Sequence, residues 1–595
     1  MVCYDHTVLK GLIKMDIKIR IMAFITAAAI AAAGLCGCSK EIAGDKSNNS
    51  EASGSVSTPP TATVSDNVPM NTISKKDDSN QTAPSQNNNQ STPATASQSV
   101  AEMTQTPESV TNPPVSSHNI ASPTADTDSN GLIIDDYRQD IDITNEDSDG
   151  MYSAYGLSRS ERSSYYSSIS QECDLPIIHV STENKEEVLE KEYYNCFVEI
   201  FNCEDEYVKD AVSAQIKVRG NASAYYGDKD QLKKKGAPYR IKFTNKQSVL
   251  GLNDNAKCKS WVLLKTYETG VRDHLAFTLA RAINQGKYYA SDSRFVQVYI
   301  NEDYKGIYLL CEQSQANPNR VAINECEPDY TGTDIGYFVE LDNYSYEEKW
   351  RFMLNYNKES ITDFSGTSRT PKSYYYSIRN DIYSEEQKKF IERYFEVAYE
   401  IPMRAIKYGE FYRLNDDFTL TLAQDEFSSA EECVSQVLDL ESFVDMYITY
   451  EIVVDQDVGG GSFFFAVDFG NVSMYKTLTC VCPWDFSWAY TDNYAESNGG
   501  LYSAKFKSSS FVEKHGDRSN PWLILLYSAD WFQELVKEKW QERYPAILET
   551  VEAERDLVNT YKSDFNKDGS SRSSRANTTI NWTENRIKYL NTLWG

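Results

Sequence analysis

Two acidic stretches, separated by a pattern typical of a β-hairpin, carry the residue types that could perform chemistry in this chain. Asp455 and Asp457 follow an apolar helical pattern, and Asp485 follows the second of two extended runs. Because paired strands bring their ends together, we expect Asp457 and Asp485 to lie close although 28 positions separate them. A carboxylate that accepts a proton, beside another that holds a divalent cation, is the minimum equipment for phosphoryl transfer. Spacing alone favours the alternative, which is a buried hairpin with solvated acids at its ends.

The elements that must position these acids form a sheet-rich N-terminal half and a helix-rich C-terminal half. Strands are predicted at Pro176–Val180, Tyr194–Phe201, Ala214–Val218, Pro238–Phe243, Trp261–Lys265, Phe295–Ile300, Gly306–Cys311 and Gly336–Leu341. Helices are predicted at Val271–Ile283, Glu386–Tyr399, Leu440–Val454, Pro521–Tyr544, Pro545–Tyr561 and Trp582–Trp594. This order of elements predicts a two-lobed α+β domain, with the acids in its second half.

The composition excludes some classes of partner and of chemistry. The 595 residues include 59 Lys and Arg against 87 Asp and Glu, which gives a net charge of -28. This charge argues against nucleic acid, or an anionic membrane face, as a partner held by general electrostatics. The 5 histidines do not cluster and no His-Glu-x-x-His motif occurs, so nothing supports a zinc hydrolase.

The sequence of the first 170 residues predicts a targeting segment followed by a linker, rather than part of a folded core. Residues 1–38 combine a basic start, a short apolar run and the end Leu35-Cys36-Gly37-Cys38, which resembles a bacterial lipobox with a lipid on Cys38. An ordinary cleaved signal and an uncleaved anchor are the alternatives. Residues 39–170 are expected to form a low-complexity, disordered linker, although the composition leaves the order of residues 132–170 open. We therefore expect a domain at 171–595 that is lipid-anchored to the cell membrane on its extracytoplasmic face.

Seven ordered segments carry a resemblance to a known family. They read VRGNAS, APYRIKF, KSWVLLKTYETGVRDHLAFTLA, VQVYINEDYKGIYLLCEQ, GYFVELDNY, YEIVVDQDV and PWDFSWAY, and the closing NWTENRIKYLNTLW is similar to the family's last helix. In this order they resemble the CotH (spore coat protein H-like) family of atypical kinases, over about residues 175–595. The resemblance implies a distorted, two-lobed protein-kinase-like fold that uses ATP with Mg²⁺ or Mn²⁺.

The resemblance also implies roles for individual residues. Asp457 is similar to the catalytic acid that takes the proton from the accepting hydroxyl, and Asp485 to the metal-holding acid. The remaining implied positions are Ser462 near the metal, Lys242 at the nucleotide phosphates, Glu312 as the partner of Lys242 or a neighbour of the metal, and Arg219 and Arg240 at further phosphate charge. These types match the demand of phosphoryl oxygens for cations and of metals for oxygen ligands.

The chain also departs from the family pattern. Ser487 stands where the family usually has a second acid, Asp455 where an Asn is common, and Ala237 where a Lys is frequent, although Lys233–Lys235 are near. The first hypothesis is a kinase for Ser or Thr of secreted or envelope proteins. The second is a catalytically weak or inactive scaffold on the cell surface, for which Ser487 is the main support. A third is attachment within surface machinery that degrades carbohydrate. The sequence leaves the oligomeric state open.

Several local patterns have simpler interpretations. Asp468-Phe469-Gly470 spells the kinase metal motif, but it falls at the hairpin turn, where Asp and Gly are expected on backbone grounds. Asp564–Gly569 matches half of a calcium loop, but Arg575 stands at the twelfth position, so an ordinary Asx-rich loop is favoured. Nine cysteines follow the leader, among which Cys311 with Cys326, and Cys196 with Cys203, could pair.

Overall fold

The computed structural model describes residues 159–170, 172–220, 236–266, 270–567, 569 and 571–595, with side chains from residue 164 onward. The predicted signal segment with Cys38, the predicted linker up to residue 158, and Lys233–Lys235 lie outside these residues. None of the helices in the described ranges is long and apolar enough to cross a membrane.

Seven strands near the start of the described region form a closed barrel. They are β1 (Ile177–Thr182), β2 (Tyr194–Phe201), β3 (Lys209–Val218), β4 (Tyr239–Gln247), β5 (Cys258–Lys265), β6 (Ser293–Ile300) and β7 (Asp303–Glu312). The order is β1-β2-β3-β4-β5-β7-β6, and β6 closes the barrel by pairing in parallel with β1. The period of two is clear in β4, where Tyr239, Ile241 and Phe243 are buried while Lys242 is exposed on the outer face.

Helix α2 (Arg272–Asn284) connects the barrel to the rest of the fold, and helix α1 (Arg159–Ser170) precedes the barrel. Leu275, Leu279 and Ile283 form the apolar stripe of α2 that the sequence predicted. They share one buried core with Phe295 and Leu309 of the barrel. This helix therefore packs on the outside of the barrel, whose interior has a separate core.

A five-stranded sheet contains the hairpin that carries the acids. Its order is β16-β15-β8-β12-β9, formed by β8 (Gly336–Leu341), β9 (Arg351–Leu354), β12 (Tyr374–Ile378), β15 (Phe463–Asp468) and β16 (Thr479–Val481). Strands β10 (Ile361–Thr362) with β11 (Ser368–Arg369), and β13 (Tyr412–Leu414) with β14 (Leu420–Leu422), form two small hairpins. Every residue of β15 is buried because it lies between two strands inside the main core, which explains its aromatic run. The predicted hairpin is confirmed.

Eight further helices of six or more residues complete the fold, beside one irregular helical turn at Leu252–Asn255. They are α3 (Glu385–Tyr408), α4 (Ala430–Ser435), α5 (Leu440–Val453), α6 (Ser509–His515), α7 (Pro521–Tyr527), α8 (Asp530–Thr560), α9 (Lys562–Lys567) and α10 (Arg572–Trp594) among the described residues. The predicted helix boundary at Pro545 is wrong, because α8 runs through this proline while packed against α2 and α10. The break lies earlier, at Ser528 and Ala529. Packing of a long apolar face outweighs the one backbone hydrogen bond that proline removes.

The α+β class is confirmed, but the two halves are not cleanly separated. Strands β15 and β16, from the second half, join β8 of the first half in one sheet. The last twelve residues of the predicted linker form α1 rather than disordered chain. Tyr166 of α1 stacks on Phe201 of the barrel with ring centroids 4.2 Å apart, and its hydroxyl lies 3.1 Å from His179 Nδ1.

All nine cysteines within the described residues are free thiols, so neither suggested pair forms. Cys196 faces the barrel interior, whereas Cys203 lies beyond the end of β2. Cys311 is fully buried within β7, and Cys326 donates its thiol hydrogen to the carbonyl oxygen of Asp381.

Asp564 ties the start of the folded region to the end of the chain, instead of forming the expected Asx-rich loop. It lies in α9, is 1% exposed, and accepts the backbone N–H groups of Asp174 and Leu175 at 2.9 and 3.0 Å. Its other oxygen accepts from Gln297 Nε2 at 2.8 Å. We expect Asp564→Ala to lower the free energy of unfolding by about 1–3 kcal/mol, because three buried donors lose their acceptor.

Urea unfolding of the purified protein measures this loss. Asp556→Ala removes an exposed carboxylate from the neighbouring helix α8 and is the matched control. Equal midpoints for the two variants would contradict the role of Asp564.

A buried ion pair between α2 and α8 makes the stability depend on pH. His274 Nδ1 lies 2.5 Å from Glu554 Oε2, and both side chains are buried. Burial opposes the charge of the imidazole, but the charge and hydrogen bond of Glu554 outweigh it and raise the pKa of His274. The pair therefore stabilises the fold fully below the unfolded pKa of about 6.5, and this stabilisation is lost as the pH rises through the folded value.

The measurement is unfolding by urea at pH 5.5 and at pH 8.5 for the native chain and for Glu554→Gln. We expect the substitution to destabilise the protein more at pH 5.5, because the charged imidazole then loses its partner. If Glu554→Gln lowers the free energy of unfolding by the same amount at both pH values, the pair does not make the stability depend on pH.

Candidate functional site

Helix α5 ends at the first two acids, and the loop that follows is tightly packed. Asp455 is 2% exposed, and its Oδ1 accepts the backbone N–H of Asp457 at 3.2 Å. Asp457 itself is partly exposed and forms an ion pair with Arg518. A Cβ atom at Gly459 would collide with the backbone carbonyl of Ser519, and one at Gly460 would collide with the ion pair. These glycines are therefore required by the close approach of the two loops.

Asp485 stands on the turn that follows β16, on the surface of the molecule. Its backbone is left-handed, with φ 62°, and it directly precedes a 3-10 turn, Phe486–Trp488. Its side chain is exposed and accepts a hydrogen bond from the Ser487 hydroxyl at 3.1 Å. Phe486 is buried and anchors the turn, because its N–H donates to Asp273 Oδ1 at 2.9 Å.

The hairpin brings the loops of Asp457 and Asp485 into contact, as the sequence predicted. The N–H of Gln456 donates to the carbonyl of Trp488 at 3.4 Å, and its side chain donates to the Thr491 hydroxyl at 3.0 Å. The Arg518 guanidinium, paired with Asp457, lies over the Trp488 ring with its carbon 5.1 Å from the centroid. One arginine thus bridges the two acidic loops.

A fourth carboxylate, Asp273 in the first turn of α2, belongs to the same charged cluster. Burial, followed by the charge of Asp485, raises the pKa of Asp273 to about 7. The same two causes raise the pKa of Asp455 well above its usual range. Lys507 is the nearby buried cation: burial lowers its pKa to about 7, and it donates to the carbonyl of Tyr502 at 3.1 Å. Burial and the neighbouring charge therefore disfavour ionisation of the two carboxyls that lie behind the exposed Asp485.

Cationic side chains cover the neighbouring outer face of the barrel. Lys217 faces Arg240 across β3 and β4, and Lys242 lies two residues further along β4. Burial, followed by the charges of Arg240, Lys191 and Lys242, lowers the pKa of Lys217. Arg219 reaches the acidic cluster, since its guanidinium lies 5.8 Å from the centroid of the Trp484 ring. The cationic face of the barrel thus approaches the acidic cluster at Trp484, the residue before Asp485.

Glu312 lies elsewhere, and the expected pairing with Lys242 is wrong. Glu312 faces Trp261 across β5 and β7, and Trp261 faces Ile241, so Glu312 shares the inner face of the barrel. Lys242 is on the outer face because side chains alternate along a strand. Glu312 instead forms a fully buried ion pair with Arg320, with Nε 3.2 Å from Oε1.

The model of the family described as CotH kinase protein matches residues 216–590. The chain belongs to the CotH kinase family. No curated protein matches the sequence. The matched region begins in β3 and ends in α10, so it includes the cationic face, α2 and both acidic loops.

Two serines of this CotH chain stand near the acids, Ser462 in the sequence after Asp457 and Ser487 through a hydrogen bond to Asp485. The protein-kinase catalytic loop spaces its Asp and its metal-binding Asn by five positions, and Ser462 stands five positions after Asp457. The backbone of Ser462 is left-handed, with φ 54°, and its carbonyl accepts from Tyr450 at 3.4 Å. Ser487 contacts Asp485 directly, in place of the family's second acid.

The donor chemistry of this CotH site suits a hard divalent cation. Carboxylate and hydroxyl oxygens are the ligands that Mg²⁺ and Mn²⁺ prefer, and the mutual repulsion of Asp273, Asp455 and Asp485 is the charge that such a cation would relieve. Within the described ranges, no three His, Cys, Asp or Glu side chains already converge into a metal cage. The site therefore fits a cation in charge and in donor type.

Asp468, in the sequence that spells the kinase motif, has a structural role. It is buried and accepts the backbone N–H of Asn324 at 2.7 Å and that of Gly470 at 2.8 Å. These bonds hold the hairpin turn, as expected from the backbone chemistry of Asp and Gly.

Three residues of the site escaped prediction: Asp273, Lys507 and Arg518. An acid in the first turn of a helix is ordinary, because it interacts favourably with the helix dipole, so Asp273 gave no distinct signal. Lys507 and Arg518 lie in the two loops that flank α6, and neither loop has a recognisable motif.

Proposed function

We propose that this chain is a metal-dependent kinase that transfers phosphate from ATP to Ser or Thr hydroxyls of secreted or envelope proteins. The observation that supports it best is the return of Asp485, on its hairpin, to the loop of Asp455 and Asp457. The family match supports the same chemistry. Interpreted in this way, the barrel takes the place of the nucleotide-binding lobe and the helical region that of the substrate lobe.

Each part of the site then has a role. Asp457, partly exposed at the mouth of the loop, accepts the proton of the attacking hydroxyl. Asp485 holds the divalent cation, supported by the carboxylate of Asp455 and by Ser462. When bound, Mg²⁺ or Mn²⁺ supplies charge neutralisation at the phosphate oxygens. Arg219, Arg240 and Lys242 offer cations from the barrel face to the nucleotide phosphates.

The location of this activity is proposed from the leader. A lipid on Cys38 would hold the protein at the extracytoplasmic face of the cell membrane, with secreted or envelope proteins as acceptors. The net charge of -28 gives no support for a nucleic-acid partner.

The purified protein tests this proposal when it is incubated with labelled ATP, Mn²⁺ or Mg²⁺ and a generic protein acceptor. We expect label transfer that needs the metal and disappears in Asp457→Asn and in Asp485→Asn. Absence of both label transfer and nucleotide binding in the native chain would overturn the kinase.

A catalytically weak or inactive scaffold is the second candidate. It is favoured by Ser487 in place of an acid, and by the ion pair that occupies Asp457. Thermal unfolding separates the two functions. A kinase is stabilised by ATP with Mg²⁺ or Mn²⁺, whereas a scaffold without a nucleotide site unfolds at the same temperature with or without them.

A further inference from the structure

Arg518 is held in a defined position against the proposed catalytic acid. Its Nε donates to the carbonyl of His515 at 3.1 Å, its guanidinium stacks over Trp488, and its Nη1 pairs with Asp457. Trp488 itself contacts the ring of His515 edge-on, with centroids 5.0 Å apart. A long side chain fixed by three different contacts is pre-organised, unlike a mobile surface arginine.

This position conflicts with free access to Asp457. The Arg518 guanidinium contacts a carboxylate oxygen of Asp457 that an incoming hydroxyl would have to approach, so it stands in the path of the acceptor. The Arg518 side chain is 19% exposed and that of Asp457 31%, so an incoming molecule can reach both. A second anion could take over the guanidinium while the contacts to His515 and Trp488 remain.

We propose that Arg518 selects acceptors that carry an acidic residue beside the phosphorylated hydroxyl. This inference rests on the proposed kinase function and names its substrate class. A carboxylate of the acceptor binds the Arg518 guanidinium in place of Asp457, so the contact that positions the acceptor also frees the base. Charged hydrogen bonds of this fork geometry are strong and directional.

The surroundings favour an acceptor carboxylate over a phosphate of the nucleotide. The cations suited to the nucleotide lie on the barrel face, where Arg219 meets Trp484. Arg518 is instead paired with Asp457, at which the accepting hydroxyl must arrive. An acidic acceptor, otherwise repelled by a chain whose net charge is -28, finds a cation here.

The experiment compares two peptides on the purified full-length protein. They differ only in that the residues flanking one serine are aspartate in the first and asparagine in the second. We expect the native chain to prefer the aspartate peptide by roughly tenfold or more in kcat/KM, through KM. In Arg518→Ala this preference disappears, because the carboxylates of the aspartate peptide lose their guanidinium partner. Arg413→Ala, which removes an exposed arginine paired with Glu426, keeps the preference.

Three outcomes would overturn the inference: equal use of both peptides by the native chain, a preference that survives in Arg518→Ala, or an equal loss of kcat on both peptides. The last would show that Arg518 acts on the transferred phosphate. Peptide binding measured without nucleotide separates this inference from the kinase function. Selective binding of the aspartate peptide that needs Arg518, without any label transfer, would refute the kinase and leave acidic recognition standing.

Discussion

Asp485→Asn is expected to reduce label transfer by about 10²–10³-fold, the usual cost of removing one preorganised electrostatic group from a reaction centre. The substitution keeps the shape of the side chain and removes its charge. Asp485 is exposed, and its side chain accepts from Ser487, so we expect little change in the free energy of unfolding. The effect should therefore appear in kcat and in the metal concentration needed for activity, rather than in the amount of folded protein.

Asp492→Asn is the matched control, because this exposed acid lies seven positions further along in a similar 3-10 turn. Metal titrations of the initial rate for both variants make the comparison. Full activity of Asp485→Asn at ordinary metal concentration would show that Asp485 does not hold the metal, and this result would contradict the proposed site. Ser487→Asp is the companion variant. If this chain has lost a second acid that binds the metal, we expect Ser487→Asp to lower the metal concentration needed for half-maximal activity.

Arg586→Met is expected to lower the free energy of unfolding by about 3–5 kcal/mol, because it leaves a buried carboxylate without its cation. Arg586 of α10 and Glu451 of α5 are both 0% exposed, and Nη2 lies 2.6 Å from Oε1. The same guanidinium donates to the carbonyls of Tyr494 and Gly500 at 2.9 Å. The Arg586 side chain thus connects α10 with α5, the helix that precedes Asp455, and with the loop that follows Asp485.

Urea unfolding of Arg586→Met is compared with Lys588→Met, an exposed cation on the same helix. The double variant Arg586→Met, Glu451→Met should cost less than the two single variants together, because neither charge then remains buried alone. A loss below about 1 kcal/mol in Arg586→Met would contradict this expectation, because the buried pair would then contribute no more than an exposed salt bridge does.

The hairpin and its two acids could be predicted because their signals are local. Phe463–Val467 is an apolar run that follows three glycines and Ser462 and ends before Asp468, and a strand needs little more to be recognised. The same holds for the barrel strand with Tyr239, Ile241 and Phe243, whose alternation fixes the inner and outer faces. The family resemblance then distinguished a chemical role from a solvated hairpin, which spacing alone could not do.

The features that could not be predicted from the sequence depend on contacts between residues that are far apart in the chain. Glu312 was expected to pair with Lys242, but the strand register puts the two on opposite faces of the barrel, and Glu312 pairs with Arg320 from the segment after β7. Arg518 reaches Asp457 from 61 positions away, at the end of a loop with no regular pattern. The course of α8 through Pro545 follows from packing against α2 and α10, which local helix propensity does not contain.

The parallel seam of the barrel affects how the chain folds. Ile177 of β1 pairs with Gln297 of β6, about 120 residues later, so the first strand lacks one neighbour until almost the whole barrel has been made. At roughly 5–20 residues per second, synthesis of that interval takes on the order of ten seconds. During this time the edge of β1 is an open template for pairing with other chains. Closing so long a loop is also slow, so the barrel seam, rather than the helices, should limit the rate at which the nascent protein becomes resistant to aggregation.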